Sequence, residues 1–266
     1  MNAKQAHIIA YSPTGTTLQN LKQVAAGMGF DAPVETNVTL PPASGMIPVD
    51  ADTVAIIGAP VYSGRIAPEA MVRLKQLSSK GAPAVVVAVY GNRAYDDALI
   101  ELKDLAEKAG FVVIGAAAML GQHSFSTDEK PIAVGRPDAK DDQAAQKFGK
   151  DIVARLAGCN AVSELSEVAV PGTVPTDVLD GRKGASPKID VSLCSGCGVC
   201  VAGCPMGAIS LVDDVAMIEY TECTFCCACM QHCPNNAVSV TFEPIVKATN
   251  WLYENCQERR EPEFYL

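Results

Sequence analysis

The sequence has little positive charge, a single tryptophan and no long apolar run. Its 266 residues include 21 lysines and arginines against 30 acidic side chains, which gives a formal net charge of -9. Surfaces that bind nucleic acid are normally basic, so this balance argues against a nucleic-acid partner and suits basic or redox partners. Apolar runs such as FVVIGAAAML are far shorter than the roughly 20 residues of a membrane-spanning helix. We therefore expect buried strands and no membrane span.

Cysteine, in contrast, is abundant, with eleven residues in the chain. The first residues, MNAKQAHIIAYSPTG, lack the charged and apolar regions and the cleavage site of a signal peptide. We therefore expect a cytoplasmic protein in a reducing compartment, where cysteines serve other purposes than disulfides.

Residues 1–160 alternate apolar strands with amphipathic helices. The strands are predicted within AHIIAYS, APVETNV, DTVAIIGAP, APAVVVAVYG and FVVIGAAAML. The helices are predicted within TTLQNLKQVAAGMG, APEAMVRLKQLSSKG, AYDDALIELKDLAEKAG and residues 141–156. This alternation is typical of an α/β domain with a doubly wound, five-stranded parallel sheet.

The rest of the chain divides into three predicted parts. Residues 161–188 lose periodicity and predict a linker, because prolines, glycines and lone charges replace the pattern. Residues 189–243 form a small cysteine-rich α+β domain, and residues 244–266 a short helix and a frayed tail. We expect Trp251 to pack this tail against the body.

The cysteine-rich part contains an internal repeat, in which Cys194 to Cys204 maps onto Cys223 to Cys233 with a constant offset of 29 (223 minus 194). Structural zinc sites usually have two C-x2-C pairs separated by a longer loop. Cysteines at i, i+3 and i+6, then a fourth cysteine followed by proline, are instead typical of bacterial 4Fe-4S proteins. Zinc in both quartets is the weaker alternative. Small residues between the cysteines let backbone N–H groups approach sulfur, namely Gly196, Gly198, Gly203 and Ala228.

Both copies resemble the two-cluster 4Fe-4S ferredoxins of the clostridial type over about 55 residues. The resemblance implies crossed ligation, with one cluster on Cys194, Cys197, Cys200 and Cys233. It places the other cluster on Cys204, Cys223, Cys226 and Cys229. Cys227 is out of register, and a small buried residue is favoured over a ninth ligand. Cys159 and Cys256 are interpreted as structural.

Residues 189–243 contain no lysine or arginine but several acidic side chains. These are Asp190, Asp213, Asp214, Glu219, Glu222 and Glu243. Such a face either is simply solvated or steers a basic redox partner onto the clusters.

The segment YSPTGTT directly follows the first strand and opens the first helix, where a doubly wound fold presents free N–H groups to an anion. It has neither the lysine of a Walker A loop nor a G-x-G-x-x-G fingerprint. Its hydroxyls and glycine predict a phosphate site, formed by Ser12, Thr14, Gly15, Thr16 and Thr17.

Two further loops, GAPVYSGRIAPE and YGNRAYDD, follow the third and fourth strands at the same sheet edge. Together the three loops resemble flavodoxin, which implies the strand order 2-1-3-4-5 and FMN between loops that contain Tyr62 and Tyr95. The candidate flavin contacts are Pro60, Val61, Tyr62, Ser63, Gly64, Arg65, Tyr90, Gly91, Asn92, Tyr95 and His123. The alternatives are core positions for the two tyrosines and a surface ion pair for Arg65. His123, Ser124 and Arg136 either complete this pocket, touch the cysteine-rich part or are structural.

The order of the two parts resembles the fused flavodoxin-ferredoxin proteins of anaerobic bacteria. This implies electron transfer among FMN, two 4Fe-4S clusters and a redox partner such as a ferredoxin or an oxidoreductase. An FMN-dependent reductase of a small acceptor, fed by the clusters, is the alternative, and a redox-sensing module is the third reading. No catalytic residue is assigned, and a homodimer is one oligomeric state that the sequence allows.

Overall fold

The computed structural model describes residues 5–41, 45–181 and 184–266. The first part of the chain forms β1 (Gln5–Ala10), α1 (Thr16–Gly27), β2 (Val34–Asn37), β3 (Ile47–Val49), β4 (Thr53–Tyr62), β5 (Arg65–Ile66), α2 (Pro68–Leu74), β6 (Leu77–Ser79), β7 (Pro83–Tyr90), α3 (Ala98–Lys108), β8 (Val112–Leu120) and α4 (Ala139–Ala157). A 3-10 turn at Val162–Glu164 follows. The remainder forms β9 (Lys188–Ile189), α5 (Val199–Ala202), β10 (Ile209–Val212), β11 (Val215–Ile218), α6 (Ala228–Gln231), β12 (Val238–Ser239), α7 (Glu243–Asn255) and β13 (Glu263–Tyr265).

The main sheet has the order β13-β8-β7-β4-β1-β2, with β5 paired to β4. Five of its strands are parallel, and in chain order they lie 2-1-3-4-5, which is the flavodoxin-like doubly wound arrangement. Ile8 of β1, for example, lies between Glu35 and Ile56. The predicted fold class is therefore confirmed.

Helices cover both faces of this sheet and create two apolar cores. One core packs α2 and α3 against the sheet, with Leu74, Leu99 and Leu102 fully buried. The other packs α1 and α4 through residues such as Leu21 and Phe148. Strands buried on both faces explain why β4, β7 and β8 are continuous apolar runs.

The cysteine-rich part repeats its structure as well as its sequence. Helices α5 and α6 each cover four residues and begin 29 residues apart (228 minus 199). Strands β10 and β12 begin at Ile209 and Val238, which are separated by the same interval. The residue before each helix is left-handed, Gly198 with φ 74° and Cys227 with φ 57°. Cys227 thus occupies the position of Gly198 in the second copy.

Three local predictions were wrong. The helix predicted over residues 67–81 ends at Leu74, because Leu77–Ser79 pairs with β3 as strand β6. The tail is not frayed, since β13 pairs antiparallel with β8 at the sheet edge. Trp251 is 52% exposed and is not a core residue, although it lines a surface cavity with Val61 and Arg93 of the α/β domain.

The segment predicted as a linker lies against the α/β domain. Val168 is fully buried in the core on the α3 side of the sheet. Thr173 donates its backbone N–H to Asp97 Oδ1 at 2.9 Å. The connection is therefore anchored to the α/β domain at Val168 and Thr173.

Candidate functional site

The loop between β1 and α1 is built around Gly15, the left-handed N-cap of α1 with φ 88°. Ser12 Oγ accepts the N–H of Leu18 at 3.0 Å, and Ser12 is itself buried. Thr17 is buried in the helix, whereas Thr14 and Thr16 line a cavity beside the loop. The predicted phosphate loop therefore presents two hydroxyls and a helix N-terminus to that cavity.

The cavity has a volume of about 200 Å³ and lies at the carboxyl edge of β1, β4, β7 and β8. Nine residues predicted as cofactor contacts line it: Thr14, Thr16, Pro60, Val61, Tyr62, Ser63, Tyr90, Gly91 and His123. Three loops that are distant in sequence thus meet in one crevice, beside the point where the strand order reverses.

Tyr62, Tyr90 and His123 are titratable groups of the cavity wall. Burial, followed by negative charge on Cys226, raises the pKa of Tyr62. Burial, assisted by the charge of Arg93, lowers the pKa of His123 to about 4. His123 is therefore neutral at pH 7, and because its Nδ1 accepts the N–H of Phe125 at 3.1 Å, its proton resides on Nε2. Gly91 is required here, since a Cβ would lie 2.4 Å from His123 Cδ2.

Several predicted flavin contacts lie elsewhere. Arg65 pairs with Glu101 at 2.7 Å and with Asp177 at 3.0 Å, so it is ion-paired as one alternative expected, although Glu101 is buried and only Asp177 lies at the surface. Tyr95 donates to Glu263 Oε2 at 2.7 Å and thereby fixes β13. Ionic and hydrogen-bond partners determine the positions of these side chains, and the spacing of residues in the sequence does not reveal such partners.

Two loop residues also serve structural purposes. Asn92 donates to the carbonyls of Cys256 and Glu258, both at 2.8 Å, and so holds the chain that leads to β13. Gly64 has φ 79°, and a Cβ there would lie 2.3 Å from Asp96 Oδ2, so it belongs to a tight turn outside the cavity lining.

The predicted site residues of the long loop after β8 lie in different places. Ser124 lines the cavity together with His123. Arg136 instead forms a buried ion pair with Asp141 and donates to the carbonyl of Arg260. Arg136 therefore stabilises the start of α4, and it is not among the described residues that line the cavity.

Each cysteine quartet lines a small cavity of its own. The first cavity is lined by Cys194, Cys197, Cys200 and Cys233, among others. The second is lined by Cys204, Cys223, Cys226, Cys227 and Cys229. The four ligands implied for each cluster therefore lie together, three from one copy of the repeat and one from the other.

Backbone N–H groups approach the sulfurs in both copies. Ala208 donates to Cys204 Sγ at 3.3 Å, and its repeat equivalent Ala237 donates to Cys233 Sγ at 3.3 Å. Hydrogen bonds from Ala216 and Gly196 lower the pKa of Cys194. Such donors stabilise thiolate sulfur, which is the form that binds iron.

The two quartets differ in burial. Cys197 is exposed, whereas Cys226 is buried and its thiol pKa is raised to about 12, mainly by desolvation. Cys227 is 1% exposed and packs with Phe225 and Ile245, as expected of a small core residue. The second quartet is therefore the more buried of the two, although three cysteines of each quartet are half-buried.

Comparisons with known proteins bear on both parts of the chain. Residues 186–234 match the family model described as a 4Fe-4S dicluster domain. A probable ferredoxin from Methanosarcina thermophila is 53% identical over 36 residues, which is 13% of this chain. The match spans 62% of that relative's own length, less than two thirds of it.

Solved flavodoxins align with the first part. An archaeal flavodoxin is 14% identical over 57% of this chain and 99% of its own, with a TM-score of 0.37. Oxidised flavodoxin 1 from Bacillus cereus is 13% identical over 57% and 98%, with a TM-score of 0.41. The Flv1 flavodiiron core from Synechocystis is 17% identical over 59% and 37%, with a TM-score of 0.39.

The dicluster match and the strand order decide the assignment. The chain therefore joins an α/β domain of flavodoxin-like strand order to a 4Fe-4S dicluster domain. The dicluster match supports 4Fe-4S binding over the zinc alternative. Among the described residues, no helix is long and apolar enough to cross a membrane.

The dicluster domain completes the cavity of the flavodoxin-like domain. Thr224 and Phe225, which lie between Cys223 and Cys226, line that cavity. Thr224 also lines the cavity of the second quartet, so one side chain borders both. The other residues from beyond the flavodoxin-like domain are Leu179, Gly181, Ile245 and Ala248. Nothing in local sequence pattern marks these residues, because they reach the cavity only through packing between domains.

Helix α6 and the residue that follows it connect the two domains by hydrogen bonds. Gln231 donates to the carbonyls of Ser124 and Ser126 at 2.9 and 3.0 Å. His232 Nε2 donates to the carbonyl of Pro13 at 3.0 Å. The residues that precede Cys233 therefore hold the dicluster domain to the phosphate loop and to the loop after β8.

Proposed function

We propose that this fusion transfers electrons between two 4Fe-4S clusters and FMN, and between these cofactors and a redox partner protein. The observation that supports this most directly is Thr224, which lines both the cavity at the flavodoxin loops and the cavity of the second quartet. FMN exchanges two electrons and each cluster one, so the bound cofactors supply chemistry that joins paired and single electron transfers.

The residues of the cavity fit FMN in their chemistry. Thr14, Thr16 and the N–H groups behind Gly15 supply donors for a phosphate without a basic side chain. Thr224 Oγ1 is buried and has no hydrogen-bond partner among the described residues. A buried hydroxyl without a partner is costly, by about 1–3 kcal/mol, and a polar ligand would satisfy it. His123 adds a neutral N–H donor to the same wall.

The proposed ligand sets are crossed. Cys194, Cys197, Cys200 and Cys233 would hold one cluster. Cys204, Cys223, Cys226 and Cys229 would hold the other. The proposed boundaries follow this division, with the FMN-binding domain at 1–160, a connection at 161–188, the dicluster domain at 189–243 and the C-terminal helix and tail at 244–266.

The redox partner would meet the first quartet. Cys197 is exposed, and apolar side chains around it are exposed as well, among them Val191, Leu193 and Val199. Asp190, Asp213 and Asp214 add negative charge on this side, which would steer a basic partner. The more buried second quartet would then connect that surface to the flavin cavity.

In the reductase alternative, Arg65, His123 and Tyr62 would contact the substrate. This alternative has less support, since Arg65 is paired with Glu101 and Asp177. Anaerobic purification, followed by cofactor analysis and a visible spectrum, tests the proposal. We expect one FMN and two clusters per chain, with bleaching by dithionite and not by NADH or NADPH. Iron without any FMN-binding capacity contradicts the proposal, and bleaching by a nicotinamide nucleotide favours the reductase.

A further inference from the structure

A buried arginine and a buried tyrosine of the flavodoxin-like domain lie beneath the second quartet. Arg73, in α2, is 4% exposed, and Tyr11, directly after β1, is fully buried. The guanidinium carbon of Arg73 lies 5.5 Å from the centroid of the Tyr11 ring, a cation–π distance. Neither residue lines the flavin cavity, so FMN binding does not explain them.

Arg73 brings its charge to a cluster ligand. Its Nη2 donates to the carbonyl of Pro205 at 2.5 Å, and Pro205 directly follows Cys204. Its Nη1 donates to the carbonyls of Val38 and Thr39, which fixes the guanidinium in place. The only carboxylate that the described residues pair with it is Glu69, at 3.2 Å. A buried positive charge therefore lies one residue from the second quartet.

Tyr11 has a hydroxyl without a partner. Its OH is buried and makes no hydrogen bond among the described residues. Burial raises the pKa of Tyr11, and negative charge on Cys226 and on Cys204 raises it further. Tyr11 lies against Arg73, which reaches the residue after Cys204, and a buried donor without an acceptor at this place requires an explanation.

We propose that Tyr11 and Arg73 tune the reduction potential of the second cluster from outside its ligand set. Arg73 supplies positive charge beside Cys204, and Tyr11, whose ring lies against that guanidinium, supplies a buried O–H donor that no described residue accepts. A cluster that gains one electron gains one negative charge, so a donor and a cation both favour its reduced state. The inference rests on the proposed function, because it requires clusters in both quartets.

The first quartet has a different electrostatic environment. Asp213 and Asp214 are exposed on the turn between β10 and β11. Gly196, between two ligands of this quartet, lies against the backbone of Asp214. The second cluster is therefore expected to have the higher potential and to take the first electron that dithionite supplies.

Reduction of the holoprotein, followed by EPR at controlled potentials, tests this inference. Tyr11→Phe removes only the hydroxyl. We expect this change to lower the equilibrium constant for one-electron reduction of the second cluster severalfold. Arg73→Met is expected to reduce it at least tenfold, which is 59 mV for a one-electron couple. The other cluster should be unaffected. Tyr253→Phe and Arg155→Met serve as matched controls, because Tyr253 is exposed on α7, Arg155 is partly exposed on α4, and both lie outside the part of the chain that contains the quartets.

The outcomes separate this inference from the proposed function. Should Arg73→Met fail to fold, Arg73→Lys keeps the charge and is expected to keep most of the potential, while Tyr11→Phe still tests the hydroxyl. Full iron content with unshifted potentials in Tyr11→Phe and in the Arg73 variants overturns the inference alone. Equal shifts of both clusters also overturn it. A wild-type protein without a cluster in the second quartet overturns both.

Discussion

His232 donates from Nε2 to the carbonyl of Pro13 at 3.0 Å, across 219 residues of chain. Pro13 belongs to the predicted phosphate loop, and His232 directly precedes the cluster ligand Cys233. This bond therefore links the two cofactor-binding parts of the fusion at the point where both cofactors would be held.

Replacing His232 with alanine is expected to weaken FMN binding without loss of iron. The change removes one hydrogen bond, worth about 0.5–1.5 kcal/mol, so the Kd for FMN should rise up to about tenfold. Fluorescence titration with FMN measures it. His7→Ala is the control, because His7 bonds Thr36 at 2.8 Å on β1 and β2, away from the junction. Unchanged FMN affinity in His232→Ala would show that the bond does not support the loop.

The side chain of Tyr95 is expected to stabilise the C-terminal strand and not the flavin. Tyr95→Phe removes the bonds to Glu263 at 2.7 Å and to Tyr265 at 2.8 Å. A hydrogen bond to a charged group contributes about 1.5–3 kcal/mol, so faster amide exchange in β13 and a lower Tm should follow. The FMN affinity should stay within twofold of wild type. A changed flavin spectrum with normal exchange in β13 would contradict this assignment.

The stability of the protein is expected to fall as the pH decreases from about 6.5 to about 4, partly through His123. Its pKa is lowered from 6.5 to about 4, so in this range the unfolded chain binds a proton that the folded chain does not. The loss reaches up to about 3 kcal/mol at the acid end. The Tm difference between wild type and His123→Gln, followed from pH 7 downwards, isolates it, because any contribution from His7 is common to both proteins. A difference that does not vary with pH would refute this prediction.

Cys227 is expected to be dispensable for cluster binding. It holds the left-handed position that glycine holds in the first copy, and it packs with Phe225 and Ile245. Cys227→Ala should therefore retain full iron, with a modest decrease in stability from the smaller side chain and the backbone conformation. Cys226→Ala is the matched comparison and should lose the second cluster. Iron loss in Cys227→Ala alone would mean that the ligand register is shifted by one residue.

The sequence predicts the parts of this fusion that depend on local pattern. Continuous apolar runs identify β4, β7 and β8 because a parallel sheet buries both faces, and the constant cysteine offset identifies the repeat. Strand β13 was missed because three residues carry no period and their pairing with β8 is distant in sequence. The residues of the short β6 were predicted as part of a helix for the same reason.

The sequence predicts those residues of the candidate site whose position depends only on the segment that contains them. Four predicted residues at or after strand ends do line the cavity, namely Thr14, Thr16, Tyr62 and His123. Arg65 instead pairs with Glu101 of α3 and with Asp177 of the connection. Thr224 could not be identified, because its place depends on how the dicluster domain docks. A pattern of ligands predicts what a domain binds, and packing between domains determines what lies next to it.

Electron exchange within one molecule is the central claim, and rapid mixing of the anaerobic holoprotein with a limiting amount of dithionite tests it most directly. The absorption of the flavin and the EPR signals of the clusters are followed together at several protein concentrations. Because Thr224 borders both cavities, redistribution of electrons between clusters and flavin should proceed at a rate that is independent of protein concentration. A rate proportional to protein concentration, which indicates exchange only by collision between molecules, would contradict the account.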